Sequence, residues 1–374
     1  MKTIHVLLFS VLLLGCGSGP VVWTTPIDCG ADEVAVGLAS NGINLVALGT
    51  KAMAGPVRSS MLLQALSPEG KTLWRQEYRE GELNVAGGIA ANPSGEVFVA
   101  GRTRVDEQDM CVVAKYRVNG MLAWHRALAV GDWSSGHGIA LAGDDILVCG
   151  VARDGERQEM MVARLGRDGS PVWSKNYRFG AVAAGVRVAA VEDGAVVAGH
   201  AGTAENPDII VARLDTDGDT VWTRTYDSGG EDRCGDVAAD MFGNIVATGT
   251  AVVDGAARCV ILEYHPDGEL IRKTAYGDEM NATGRAICGT DDGDIYVAGT
   301  LLGDGRTSML AFHYQPTARN VWERTWREEL DVEAADLVVG DAVFLLGTQE
   351  RSEADRDMVV VRLQRNVPAN QAAR

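Results

Sequence analysis

The chain has 374 residues, 46% hydrophobic and 23% charged, with a formal net charge of −17 at pH 7. A surface this acidic repels phosphate backbones and excludes nucleic acid as a partner. Gly is frequent (45) and Pro sparse (10), the balance of a chain with many turns and few long helices.

The first element is a leader. Met1-Lys2-Thr3 precedes an apolar run over 4–14, and Gly15-Cys16-Gly17-Ser18-Gly19-Pro20 follows it. One positive charge, a short apolar run and a small-residue exit predict a secretory signal over 1–15. The run is too short to persist as a membrane-spanning helix. Leu13-Leu14-Gly15-Cys16 resembles the bacterial lipobox, which implies cleavage before Cys16, lipidation of that cysteine and a short linker over 16–20. Gly17, not Asp, follows Cys16, and similarity to diderm lipoproteins then implies the outer membrane, facing the periplasm or the surface. The membrane is thus expected as a partner through the N-terminal lipid.

From residue 21 the chain repeats. Trp23, Trp74, Trp124, Trp173, Trp222 and Trp322 recur about every 50 residues, with one double interval in which Arg272 holds the missing position. A second column agrees: Gly49, Gly101, Gly150, Gly199, Gly249, Gly299 and Gly347 each close an apolar run, followed by Thr at 50, 250, 300 and 348. Each unit carries four strand-like runs rich in β-branched and aromatic residues, written A to D; in one unit A is 222–226, B 236–240, C 244–249 and D 259–264. B–C and D–A turns are tight and carry Gly, as in Pro93-Ser94-Gly95 and Pro266-Asp267-Gly268. A–B and C–D connections are longer. The expected fold is all-β: a seven-bladed β-propeller over 21–366, four antiparallel strands per blade, with a disordered tail over 367–374. The last unit lacks a strand A and the first residues supply one, so the N-terminal strand is expected to close the last blade.

The runs Asp-x-x-Val-x-(Arg/Lys)-Leu-x-x-Asp-Gly-x-x-x-Trp and Gly-Asn-Ile-x-Val-x-Gly-Thr resemble the bacterial seven-bladed propeller repeat (SBBP) and the related delta-60 repeats, over about residues 21–366. The resemblance implies the fold and little else. Gly-x-x-x-Trp is also similar to quinoprotein-type repeats, including a lipoprotein of the outer-membrane assembly machine. Those repeats are shorter and more numerous per ring.

Strand B is expected innermost, its start at the channel mouth on the long-loop face. Small residues dominate there, but His137, Arg187, Asp236 and Arg285 deviate in consecutive units and are the candidate ligand-binding residues. Mutual pairing of Arg187 and Asp236 is the structural alternative. Trp133, out of register in an A–B loop, joins them as a candidate exposed on the working face. No nucleophile elbow, HExxH or phosphate loop is present, so no catalytic residue is assigned. Asp215-Thr216-Asp217-Gly218-Asp219 has its Gly at the fourth position rather than the sixth, unlike an EF-hand. Asp109, Asp208 and Asp357 are expected to precede strand D in the same register and read as structural. Cys29, Cys111, Cys149, Cys234, Cys259 and Cys288 lack metal-ligand spacing and read mostly as buried free thiols. No metal and no cofactor is expected.

The residues favour a non-catalytic binding or scaffolding propeller at the cell envelope, with a protein or polysaccharide partner on the long-loop face. An envelope lyase or hydrolase is the alternative, and needs the four channel residues to converge. The quinoprotein-like resemblance implies a third role, in an envelope assembly machine. The short linker from Cys16 to Val21 would hold the tight-turn face against the membrane.

Overall fold

The structure is a computed structural model that describes residues 21–277, 281–290, 293–315, 318–352 and 355–365. The leader, Cys16 with its linker, and the tail over 367–374 lie outside the described residues.

Every element among the described residues is a strand. They are β1 (Val21–Ile27), β2 (Glu33–Ser40), β3 (Leu45–Ala52), β4 (Ser59–Leu66), β5 (Thr72–Tyr78), β6 (Leu83–Ala91), β7 (Val97–Val105), β8 (Gln108–Tyr116), β9 (Leu122–Leu128) and β10 (Trp133–Ala142). Next come β11 (Asp145–Asp154), β12 (Arg157–Leu165), β13 (Pro171–Tyr177), β14 (Val182–Val191), β15 (Gly194–Gly202), β16 (Pro207–Leu214), β17 (Thr220–Tyr226), β18 (Arg233–Ala239) and β19 (Ile245–Val253). The series ends with β20 (Ala256–Tyr264), β21 (Leu270–Tyr276), β22 (Asn281–Gly289), β23 (Ile295–Gly303), β24 (Arg306–Gln315), β25 (Ala318–Trp326), β26 (Val332–Val339), β27 (Ala342–Ser352) and β28 (Asp355–Gln364).

Consecutive strands pair antiparallel in groups of four: β2–β5, β6–β9, β18–β21 and β22–β25. Strands β10–β17 form one eight-stranded sheet, but its halves are joined only where Gln158 pairs in parallel with Val182. The remaining sheet has the order β1-β28-β27-β26, and β1 runs antiparallel to β28 from Val21 opposite Leu363 to Ile27 opposite Met358. The chain thus seals its last sheet with its first strand.

Burial follows strand position. The D strand β4 is buried along its whole length, whereas the A strand β5 is mostly exposed. The core lies between neighbouring sheets: Leu48 and Leu63 of one pack with Val99 and Val112 of the next. The B strands β2, β6, β10, β14, β18, β22 and β26 each pack on their successor, and β26 packs on β2.

The repeated residues have physical causes. Every B strand carries a β-bulge at one place, between Gly136 and Gly138 in β10 and between Cys234 and Asp236 in β18, for example. The residue before the bulge pairs with the column glycine of strand C: Ala35 with Gly49, Gly136 with Gly150, Gly284 with Gly299. A Cβ on Gly150 would fall 1.9 Å from the Ser135 carbonyl oxygen. Glycine stands there because the bulged strand presses a carbonyl into the space a side chain would fill. The residue after it binds the next unit. Thr50, Thr300 and Thr348 accept at Oγ1, at 3.0 Å, the N–H of Ala86, Ala334 and Ala35. Where Thr gives way to His200, Nδ1 accepts the Cys234 N–H at 3.2 Å.

The tryptophans join neighbouring units as well. Nε1 of Trp23, Trp74, Trp173 and Trp222 donates to the carbonyl of Pro68, Val118, Thr216 and Pro266 in the next D–A turn, at 2.9–3.0 Å. The Trp222 ring covers Gly268, whose φ of +86° and missing Cβ let the turn close beneath the indole.

Candidate functional site

The four channel residues fall on two positions of the bulge. His137 and Arg285 are bulge residues, whereas Arg187 and Asp236 follow the bulge. Asp336 follows the bulge of β26 and belongs with them. It was missed because small residues precede it, although Ala334-Ala335-Asp336 aligns with Cys234-Gly235-Asp236.

Arg187 spans the channel. Its Nη1 donates to the carbonyls of Val186 (3.1 Å) and His137 (3.4 Å), and its Nη2 to that of Val36 (3.5 Å). Nε lies 4.0 Å from Asp236 Oδ1. Asp236 accepts the N–H of Val237 (2.7 Å) and, across to the next unit, of Ile287 (3.0 Å). Asp336 repeats this pattern with Leu337 (2.8 Å) and Leu38 (2.7 Å). Burial pushes the Asp236 carboxyl up to about 7, against the pull of Arg187. Burial also raises Asp336 and lowers His137, whose Nδ1 lies 2.9 Å from the Gly185 carbonyl oxygen. These groups tie the inner strands together.

Arg187 and Arg285 meet at a cavity of about 300 Å³, lined also by Val34, Val36, Cys234, Glu333 and Thr348. His137 and Asp236 do not line it. Arg285 is exposed and has no hydrogen bond or ion pair among the described residues. A second cavity of about 300 Å³ shares Val34, Glu333 and Thr348 with the first and adds Thr307, Asp331, Glu350 and Arg356. A third, about 250 Å³, shares Asp331 and Glu350 and continues to Arg306 and Arg351. Together they make a groove from the axis to the rim on the long-loop face, lined by both acidic and basic side chains. Its rim residues lie on an A–B loop (Asp331) and at the ends of C and D strands (Arg306, Glu350, Arg351, Arg356) far apart in sequence, so no local motif announces them.

Trp133 stands elsewhere and is half-buried, not exposed. Its Nε1 donates to Asp109 Oδ2 at 3.0 Å, and the guanidinium carbons of Arg102 and Arg153 lie 5.3 and 4.6 Å from its ring centroid. These cations occupy the ring as a ligand would. Asp109 is also one residue out of register with Asp208 and Asp357: Asp208 pairs with Ala201 and Asp357 with Gln349, but Met110 holds that place opposite Thr103. The six cysteines are free thiols, and burial pushes Cys111, Cys149 and Cys259 up to about 12, which makes them unreactive.

Among solved structures, the β-propeller domain of the Trilobed protease from Pyrococcus furiosus aligns with a TM-score of 0.53 at 11% identity, over 91% of this chain and 97% of that one. The polysaccharide lyase Uly1 aligns with a TM-score of 0.57 at 9% identity, over 94% and 100%. Pyrococcus horikoshii acylaminoacyl peptidase aligns with a TM-score of 0.53 at 11% identity, over 91% of this chain but 53% of that one, so this chain spans about half its length. At these identities the likeness is one of fold, and the fold is a β-propeller. No family model and no curated protein matches the sequence.

Proposed function

We propose that this chain is a seven-bladed envelope lipoprotein, anchored through Cys16 at the outer membrane. It rests its tight-turn face on the lipid and offers its long-loop groove to a protein or polysaccharide. The closed cycle of B-strand contacts supports the blade number. The likeness to the SBBP and delta-60 repeats belongs to the same proposal.

One observation carries the orientation. Among the described residues, twelve of the fifteen exposed large apolar side chains lie at tight turns or at the starts of A strands. Ile43, Met241 and Phe242 stand in B–C turns, Val118 and Met121 in D–A turns, and Leu73 at the start of β5. Phe242 is 75% exposed and Ile43 71%. The C–D side carries only Val105, Val252 and Leu302 among the described residues. Apolar tips concentrated on one face fit the headgroup zone of a bilayer better than water. Val21, where the tether of five residues ends, is on that same face, opposite Leu363 at the end of a D strand.

The binding role rests on the groove, whose lining of both charge signs suits an extended polar chain. The channel chemistry favours binding over catalysis, since Arg187, Asp236 and His137 are held by backbone groups. In cells fed a photoreactive fatty acid, light should label peptides carrying Ile43 and Phe242, and Cys16→Ser should abolish the labelling. Labelling confined to peptides carrying Glu350 and Arg356 would overturn the orientation. Arg285→Ala with Glu350→Arg should lower partner retention at least ~10-fold in envelope crosslinking, the loss of about one charged contact. Retention unchanged in that variant would remove the groove from the reading.

A further inference from the structure

Two A–B loops in different units share the pattern Asp-x-Gly-x-x-(Glu/Asp): Asp28 to Glu33 and Asp227 to Asp232. Their last residues are equivalent, each two places before the residue that pairs with the column glycine. The loops are built alike. Asp28 Oδ1 accepts the Gly30 N–H and Asp227 Oδ1 the Gly229 N–H, both at 2.7 Å. The Cys29 N–H donates to Glu33 Oε2 at 3.3 Å, and the Ser228 N–H to Asp232 Oδ2 at 2.7 Å. The Ser228 hydroxyl adds a bond to Asp232 Oδ1 at 2.6 Å. A third carboxylate comes from the adjoining D strand, Asp357 in one case and Asp208 in the other. In each trio one oxygen from every residue lies within 4.8 Å of the others.

The scaffold does not need acid there. At the position of Glu33 and Asp232, other units hold Ala183, Ala282 and Val332, each 1% exposed or less. At the seam, Glu33 is 0% and Asp357 1% exposed, and both keep oxygens without a hydrogen-bond partner: Glu33 Oε1 and Asp357 Oδ1. Arg351 pairs with Asp357 Oδ2 and answers one of three charges. In the second trio Asp208 Oδ1 is a buried oxygen without a partner, and the charges acting on Asp208 are the two other carboxylates. Burying unpaired carboxylates together is costly, and a cation relieves it.

We propose that each trio binds a divalent cation of the calcium class. All donors are carboxylate oxygens, the choice of a hard ion, and oxygens sharing an ion at 2.3–2.6 Å lie no more than about 5 Å apart. The exposed Asp28 and Asp227 leave the remaining coordination to water. The seam ion would join β1, β28 and the start of β2, the three pieces that close the ring. This inference stands apart from the proposed function and requires neither lipid nor partner.

The test uses the full mature chain, stripped with chelator and titrated calorimetrically with CaCl₂, beside thermal unfolding in CaCl₂ and in EDTA. Two saturable sites are expected, with a rise in Tm of at least ~3 °C in millimolar calcium. Asp28→Asn and Asp227→Asn should each remove one site. Asn retains the oxygen that accepts the Gly30 or Gly229 N–H, and both positions are exposed, so the fold is kept; circular dichroism checks this. The double variant should unfold at the same temperature with and without calcium. Absence of binding heat together with a calcium-independent Tm in the parent overturns the proposal. Binding unaltered in Asp28→Asn overturns the seam site, and binding unaltered in Asp227→Asn overturns the other.

Discussion

Asp236 is a carboxyl that burial in the fold shifts towards its uncharged form. It faces Arg187 from β14 and Asp336 from β26, and burial outweighs the attraction of the guanidinium. Its carboxyl lies at about 7 in the fold against 3.8 for the free side chain. Between these values the folded chain holds a proton that the unfolded chain releases. The group therefore contributes stability at pH 4 that declines as pH rises and levels off above about 7. Asp236→Asn lacks this dependence. Urea unfolding of both proteins from pH 4 to 8 should show the parent's advantage shrinking by about 2–4 kcal/mol towards pH 7. A difference constant with pH would contradict the assignment. His200 gives the opposite slope, since burial holds it down to about 4 while Nδ1 accepts the Cys234 N–H. Its contribution is present above about 6.5 and is lost as pH falls towards 4, so the two groups partly offset in the parent. Sequence could mark Asp236 as unusual among small residues. Asp336 stands in the same repeat position as Asp236 and was legible by that alignment, but not as a partner of His137 and Arg285, because only the bulge reveals that the polar residues occupy two adjacent positions.

Strands in this protein are joined to their neighbours by columns of single residues, and those columns were legible as periodicity before their purpose was. Trp recurs because an indole N–H from one unit finds a carbonyl in the next turn. Gly recurs in strand C because a bulged carbonyl needs the space. Arg272, in the tryptophan column, lies 4.0 Å from Glu263 instead. Among the described residues Trp124 and Trp322 do not make this bond, and Trp322 is the instructive case: it is 8% exposed, as is Trp222, but its Nε1 has no partner. It borders the sheet in which strands D and A come from opposite ends of the chain, with no hairpin turn between them. Replacement by Phe separates the hydrogen bond from the packing. Trp222→Phe should cost about 1 kcal/mol more than Trp322→Phe, because only the former breaks a made bond. Chemical unfolding of the two variants measures the difference, and equal losses would mean that the indole acts through its ring alone. The acidic trios were not legible, because each combines a loop with a strand that pairing alone brings beside it.

The whole molecule is a ring sealed by one strand, and sequence foresaw this because a unit without strand A at one end matched a spare strand A at the other. Several contacts cross the seam besides the β1–β28 ladder. Thr348 accepts from Ala35, Asp336 from Leu38, and Arg356 binds both oxygens of Asp32 at 2.7 Å. Met358 and Ile27, both 0% exposed, share one core cluster with Leu62. If these contacts carry the closure, chain connectivity at the seam is dispensable but β1 is not. A chain beginning at residue 28 would leave β28 as an open edge with apolar residues beneath it, and should self-associate at micromolar concentration. A permutant that begins at residue 28 and carries 21–27 after Arg365, joined by a short Asn-Gly turn, restores the missing hairpin in the order of every other unit. Joining the ends this way changes no native contact among the described residues. The permutant should be monomeric by sedimentation and match the parent's unfolding midpoint within a few degrees. If the permutant aggregates as the truncated chain does, the ladder between β1 and β28 is not what closes the ring.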